Sequence, residues 1–183
     1  MTPATLVDLL EALDPLSELP RTGWLLRGVT SVESIAAHSY GVAVAAMAIV
    51  DALRAEGATV DGERVLRMAL LHDAAEAKTG DIPMPSKTRA LGEALHAMEA
   101  ALVEEVLPEP YRALWVEAEA KDTLEARIVK AADKVQMMVK LRVYEKQQRG
   151  RLDEFWANPK NERTMGFAFV EEVYAEIRRR AGR

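Results

Sequence analysis

Leu70-Leu71-His72-Asp73-Ala74-Ala75-Glu76 sets three ionisable side chains into an otherwise apolar stretch. Counting back from His72 through Ala69, Met68 and Val65 gives the i, i+3, i+4, i+7 spacing of a buried helical stripe, so the imidazole points inward. Read as helix, the stretch puts Glu76 on the face shared by His72 and Asp73. Burying a His, an Asp and a Glu together is costly unless something compensates, and a bound cation compensates several anionic or lone-pair groups at once. The same helical period recurs along the chain and no convincing strand appears. The fold class is therefore all-α, with several packed helices.

Working outward, Asp61 is the expected N-cap of this helix, which should stop near Lys78-Thr79-Gly80. Asp81-Ile82-Pro83-Met84-Pro85-Ser86-Lys87 carries two prolines and reads as a rigid loop beside the stretch, with Asp81 and Lys87 as its charged members. Upstream, a helix from about Ser34 to Leu53 has the stripe His38, Val42, Ala45, Ala46 and Ile49. A lone His on an apolar face is more often a hydrogen-bonded core residue than a ligand, so His38 matters only in company. Downstream, Asp122-Thr123-Leu124-Glu125 resembles a capping box and opens a long helix to about Gln148. That helix is apolar on both sides, one stripe being Leu124, Ile128, Ala131, Val135 and Met138, the other Ala126, Val129, Asp133 and Met137. Asp133 is thus an acid placed inside, either paired with a basic group or ligating; Lys130 and Lys134 are expected to project elsewhere.

The remaining helices are read at the N-terminus after Thr2-Pro3, with Leu6, Leu9, Leu10 and Leu13 on one face, then at Leu91 to Val106, Tyr111 to Ala120, and Thr164 to Ile177. His96 falls off the apolar face of its helix and reads as surface. Arg21, Trp24 and Arg27 stand on a loop or broken helix set by Pro15, Pro20 and Gly23.

The totals bound what such a protein can be. With 183 residues and 49% hydrophobic composition, one globular domain is expected. A net charge of -5 and a pI near 5.4 argue against nucleic acid as a partner. The absence of Cys excludes disulfides, thiolate metal sites and Cys nucleophiles. The longest wholly apolar run, Val42 to Val50, falls short of the roughly 18 residues a bilayer span needs, so no membrane association is expected. Met1-Thr2-Pro3 does not start a signal peptide, and a cytoplasmic location is expected.

His38, His72, Asp73 and Asp133 are the inward-facing ionisable residues of three separate helices. Two imidazoles and two carboxylates suit one divalent transition metal, with positions left for water and a substrate oxygen. In this pattern the chain resembles the HD-domain metal-dependent phosphohydrolases, which carry a His, a later His-Asp pair and a later Asp. Arg21-Thr22-Gly23-Trp24, Glu33-Ser34 leading to His38-Ser39, His72-Asp73 with Glu76, Gly80-Asp81-Ile82, Ala132-Asp133-Lys134 and the Gly150-Arg151-Leu152-Phe155 region are similar to the bacterial 5'-deoxynucleotidase family and its eukaryotic HD-domain relatives.

The resemblance implies one HD domain over residues 1–183, a helical bundle with its core at about 19–156 and terminal helices packed on it. It implies hydrolysis of (deoxy)ribonucleoside 5'-monophosphates to nucleoside and phosphate, in a homodimer. The metal would be Co or Mn, with Fe, Ni, Zn and Mg as the other candidates, held by His38, His72, Asp73 and Asp133. Glu76 and Asp81 would orient the attacking water and handle protons at the leaving 5' oxygen. Arg21 would contact phosphate and Trp24 the sugar, with Lys87 a third substrate-binding candidate. Thr22-Gly23 between Arg21 and Trp24 leaves 2'-deoxy selectivity open. The alternatives are an HD phosphohydrolase for another nucleotide or phosphate ester, or a non-catalytic helical module that binds metal or nucleotide. Glu76 and Asp81 favour catalysis, since binding alone does not require them.

Overall fold

Two long helices cross at the centre of the molecule, and each starts on a side-chain cap. In the computed structural model, which describes residues 1–83 and 89–183, α3 (Ile35–Ala55) begins where the Ser34 hydroxyl accepts from the Ala37 N–H. The other, α8 (Leu124–Lys146), begins where Thr123 Oγ1 accepts from the Ala126 N–H at 3.2 Å. The cap is thus one residue later than the Asp122 of the expected capping box. Around this pair lie α4 (Gly62–Leu71), capped by Asp61, α7 (Tyr111–Ala120) and α10 (Ala168–Ala181). Val42, Ile49, Val65, Met68, Ile128, Met138 and Leu141 form the centre of the main core. A smaller core of Leu9, Ala74, Val103, Val106, Leu107 and Trp115 lies beneath α1 (Pro3–Leu13) and α6 (Arg89–Val106). Short helices α2 (Thr22–Leu25), α5 (Glu76–Thr79) and α9 (Asp153–Ala157) fill the mouth of the bundle. The described residues contain no strand, only an isolated antiparallel bridge between Pro20 and Ser34.

The helix expected to run unbroken through the opening stretch does not. It ends at Leu71, and residues 72–75 wind more tightly: Ala74 N–H donates to Leu71 O, and Glu76 N–H to Asp73 O, each three residues back. The His72 carbonyl is thereby released from the helix and accepts from the Trp115 indole N–H at 3.1 Å. Gly80, at φ 68, then stops α5.

Three other expectations need correction. Of the leucine face on α1 only Leu9 is buried, while Leu6 and Leu10 remain exposed. The last helix starts at Ala168 rather than Thr164, because Met165 (φ 54) and Gly166 (φ 84) turn the chain first. Finally, α3 is long and apolar enough to cross a membrane by length and composition, with a mean hydropathy of 1.5, although its longest uninterrupted apolar run is short. Its inner face packs on α8 and α4, and its outer face leaves Tyr40, Val44 and Met47 exposed.

Candidate metal centre

His38 comes from the first turn of α3, His72 and Asp73 from the tightened turn after α4, and Asp133 from the middle of α8. His38 is 1% exposed and Asp133 6%. His38 Nε2 lies 3.5 Å from Asp133 Oδ1 and 3.7 Å from Asp73 Oδ2, and His72 Nε2 lies 3.3 Å from Asp73 Oδ2. One ligand atom each from His38, His72 and Asp133 falls within 4.8 Å of the others. The opposite ring nitrogens are engaged. His72 Nδ1 bonds the Ala69 carbonyl at 2.8 Å, and His38 Nδ1 bonds Gln136 Oε1 at 2.7 Å. A carbonyl only accepts, so the His72 proton sits on Nδ1 and its lone pair on Nε2. Neither Nε2 has a hydrogen-bond partner among the described residues, though both are buried. Two such nitrogens facing two carboxylates are the donor set of a divalent cation, and the residues present fit one.

The carboxylates are held ionised by their surroundings. Burial works against the charge of Asp133, but Lys130 and Lys134 outweigh it and hold the carboxyl well below the usual range. Burial likewise opposes the charge of Asp73, and the adjacent Arg21 guanidinium helps hold its carboxyl below the ordinary value. The two lysines do not project elsewhere, as the sequence reading had them. Lys130 Nζ is 2.7 Å from Asp133 Oδ2 and is raised above its ordinary value chiefly by that carboxylate. Lys134 Nζ is 3.9 Å away; the pull of Asp133 is outweighed by burial and by the charges of Lys130 and Arg21, so its pKa is lowered.

A cavity of about 550 Å³ opens beside this cluster. Arg21 enters it braced by three acids, with Nη1 3.2 Å from Asp73 Oδ2 and 3.7 Å from both Glu76 Oε2 and Asp81 Oδ1. Burial disfavours its charge, but these acids raise its pKa all the same. Asp81 Oδ2 in turn accepts from Thr22 Oγ1 at 3.0 Å and from the Gly23 N–H at 3.4 Å. The two residues that separate Arg21 from Trp24 therefore have a task of their own, which is to hold Asp81. Trp24 is only 3% exposed: Phe155 stacks on its ring at 4.7 Å, Tyr144 meets it edge-on at 5.3 Å, and its indole N–H donates to Glu33 Oε1 at 3.2 Å. The far wall is built by Arg27, ion-paired to Glu154, with Phe155, Asn158 and Asn161.

Arg21, Trp24, Asp73, Glu76, Asp81 and Asp133 thus all line the cavity, with His38 and His72 against its acids. Lys87 lies outside the described residues. Lys130, Lys134, Phe155 and Asn158 were missed as site residues. Lys130 had a signal, since i−3 shares a helical face with Asp133, whereas Lys134 at i+1 had none. Gln136 had none.

Comparison with known proteins follows the same line. The HD domain family model matches residues 13–168. The chain is 35% identical over 160 residues to the 5'-deoxynucleotidase HDDC2 of Homo sapiens, covering 83% of this chain and 75% of that one. It is 32% identical to the 5'-deoxynucleotidase hdd1 of Schizosaccharomyces pombe, covering 81% and 77%. Among solved structures, a conserved hypothetical protein from Pyrococcus furiosus superposes with a TM-score of 0.81 at 33% identity, covering 94% of this chain and 99% of that one. The HD phosphohydrolase DatZ of cyanophage S-2L, bound to dA and one catalytic Zn2+ ion, superposes with a TM-score of 0.65 at 25% identity, covering 94% and 95%.

Proposed function

The chain belongs to the HD-domain family, and we propose that it is a divalent-metal-dependent phosphomonoesterase that converts (deoxy)ribonucleoside 5'-monophosphates to nucleoside and phosphate. The observation that carries this reading is the juxtaposition, at one cavity, of two imidazole nitrogens with no hydrogen-bond partner among the described residues, facing Asp73 and Asp133, with a part-buried, braced guanidinium from Arg21.

His38, His72, Asp73 and Asp133 hold the metal. When bound, a divalent cation lowers the pKa of water and screens phosphate charge. Arg21 offers the fork geometry that matches two phosphate oxygens, and its bracing by acids fixes the fork before substrate arrives. Glu76 orients the attacking water and accepts its proton. Asp81, fixed by Thr22 and Gly23, handles the proton at the leaving 5' oxygen. Lys134, attracted to Asp133 without being hydrogen-bonded to it, adds a second cation for the phosphate. Four acids set against Arg21, Lys130, Lys134 and one dication leave a small positive surplus, which suits a monophosphate better than a triphosphate. Trp24 and Phe155 form the apolar wall for the nucleoside.

The finer assignments are 2'-deoxynucleotides as preferred substrates, supported by the names of the relatives, and Co or Mn as the metal, with Zn the ion of the cyanophage protein. The exposed apolar face of Tyr40, Val44 and Met47 on α3 supports a homodimer. A cytoplasmic site of action completes the reading. A phosphate-release screen over ribo- and deoxynucleoside 5'-monophosphates with Co, Mn, Zn and Mg tests it. Release from deoxynucleotides in a metal-dependent manner is the expected result, and no release with any metal across the panel overturns it.

A further inference from the structure

Glu33 lines neither the cavity nor the metal cluster, yet its side chain is only 3% exposed and every polar group it has is engaged. Its Oε1 accepts from the Trp24 indole N–H at 3.2 Å. Its Oε2 accepts from Gln136 Nε2 at 2.9 Å, with Lys140 Nζ at 3.5 Å. Its backbone N–H donates to the Tyr144 hydroxyl at 2.9 Å, and its carbonyl accepts from the Arg21 N–H at 3.1 Å. Burying a carboxylate this way is costly and invites a reason beyond packing.

The reason lies in the direction of the hydrogen bonds. A carboxylate only accepts, so the Gln136 amide must turn its NH2 toward Glu33 and its oxygen toward His38. The oxygen also only accepts, so His38 Nδ1 must carry a proton, and in the neutral imidazole that leaves the lone pair on Nε2, the atom facing Asp73 and Asp133. At the other end, Trp24 Nε1 and Lys140 Nζ only donate, so the polarity of the chain is fixed from that side too. Gly41 of α3 completes the arrangement. A Cβ there would come within 2.9 Å of Gln136 Cγ, so the glycine leaves the space through which Gln136 reaches from α8 to His38.

We propose that Glu33 is a positioning residue that sets the metal-binding tautomer of His38 through Gln136. This rests on the metal-site reading above, not on the identity of the substrate. The substitution Glu33→Gln makes the test directional. Trp24 holds the new amide oxygen in the place of Oε1, the NH2 takes the place of Oε2 opposite Gln136 and turns Lys140 away, Gln136 turns over, and His38 is driven to carry its proton on Nε2. Long-range imidazole nitrogen–proton NMR on metal-free protein reads the tautomer directly, and equilibrium dialysis with Mn2+ or Co2+ reads the affinity. The expected results are an Nδ1–H imidazole at His38 in the wild type, a shift toward Nε2–H in E33Q, and metal affinity lowered about 10–100-fold. The double variant Glu33→Gln with Gln136→Glu restores an acceptor opposite His38 and a donor opposite residue 136. It should return the Nδ1–H tautomer and most of the affinity, a rescue that a merely structural role for Glu33 does not produce. An Nε2–H imidazole at His38 in the wild type overturns the proposal, as does an E33Q protein with unchanged tautomer and affinity. So does a double variant no better than E33Q. Failure of the hydrolase reading would leave the tautomer measurements untouched.

Discussion

Trp115 clamps the His72 carbonyl: its indole N–H donates to that oxygen at 3.1 Å, taking the place of the Glu76 N–H, which goes to Asp73 instead. The turn that presents His72 and Asp73 is therefore held from α7. Trp115→Phe leaves a part-buried carbonyl without its donor and is expected to cost about 1–3 kcal/mol, measured by urea unfolding. Metal affinity should fall with it as the turn relaxes toward regular helix. Unchanged stability would show that the clamp contributes nothing.

Lys134 differs from Lys130 in being free of a hydrogen bond to Asp133. Lys134→Met is expected to lower kcat/KM for a deoxynucleoside monophosphate about 10–100-fold, through KM, as a lost charge-assisted contact would. Affinity for the metal should not drop. Loss confined to metal binding would move Lys134 from the phosphate to the ligands.

Metal binding to the folded state alone stabilises it by mass action, by about 2.7 kcal/mol at a hundredfold excess over Kd. Thermal melts with Mn2+ or Co2+ should therefore rise, return on chelation, and show no shift in Asp73→Ala. That variant should also release no phosphate. An unchanged melt in wild type with every metal tried would count against the site.

The apolar outer face of α3 makes a prediction about assembly. Sedimentation at micromolar concentration should give a dimer for the wild type and a monomer for Val44→Glu, whose charge enters between Tyr40 and Met47. A monomeric wild type removes this reading without touching the site.

Acid sensitivity has an identifiable source in Glu117. It accepts from Arg64 Nε at 2.8 Å and Thr123 Oγ1 at 2.7 Å, and the Arg64 bond in particular holds its carboxyl below the ordinary range against a smaller effect of burial. A folded pKa below the unfolded one contributes stability that is complete above the unfolded value, about 4.3, and is lost as the pH falls through the folded value. The stability difference between wild type and Arg64→Met should be constant from pH 7 to about 5 and shrink below about 4. With Arg64 half exposed, it should be under about 1 kcal/mol.

Much of the fold was legible because α3, α4 and α8 each carry a long apolar stripe and a Ser, Asp or Thr at the start. His38, His72, Asp73 and Asp133 stood out as ionisable residues on those stripes, and the structure does bring them together. The break at 72–75 was not legible, since Ala74, Ala75 and Glu76 are good helix formers and no Gly or Pro marks it. Its cause is a tertiary bond from Trp115, 43 residues away. Gln136 stayed hidden for a related reason. A neutral amide on a buried helix face has no pattern of its own, and only its neighbours Glu33 and His38 give it meaning. The start of α10 was misplaced because Met165, which adopts positive φ, is not a residue that advertises a turn.

Gly41 has a consequence for how this protein can adapt to heat. Exchanging a helix-interior glycine for alanine ordinarily gains about 1 kcal/mol, and it is among the simplest routes to a more thermostable chain. Here the route is closed, because the added methyl would collide with the stem of Gln136. The central helix keeps its weakest residue beside its most demanding one. Heat-adapted versions of this chain would have to find their stability elsewhere, in surface ion pairs or shortened loops, and leave position 41 as it is.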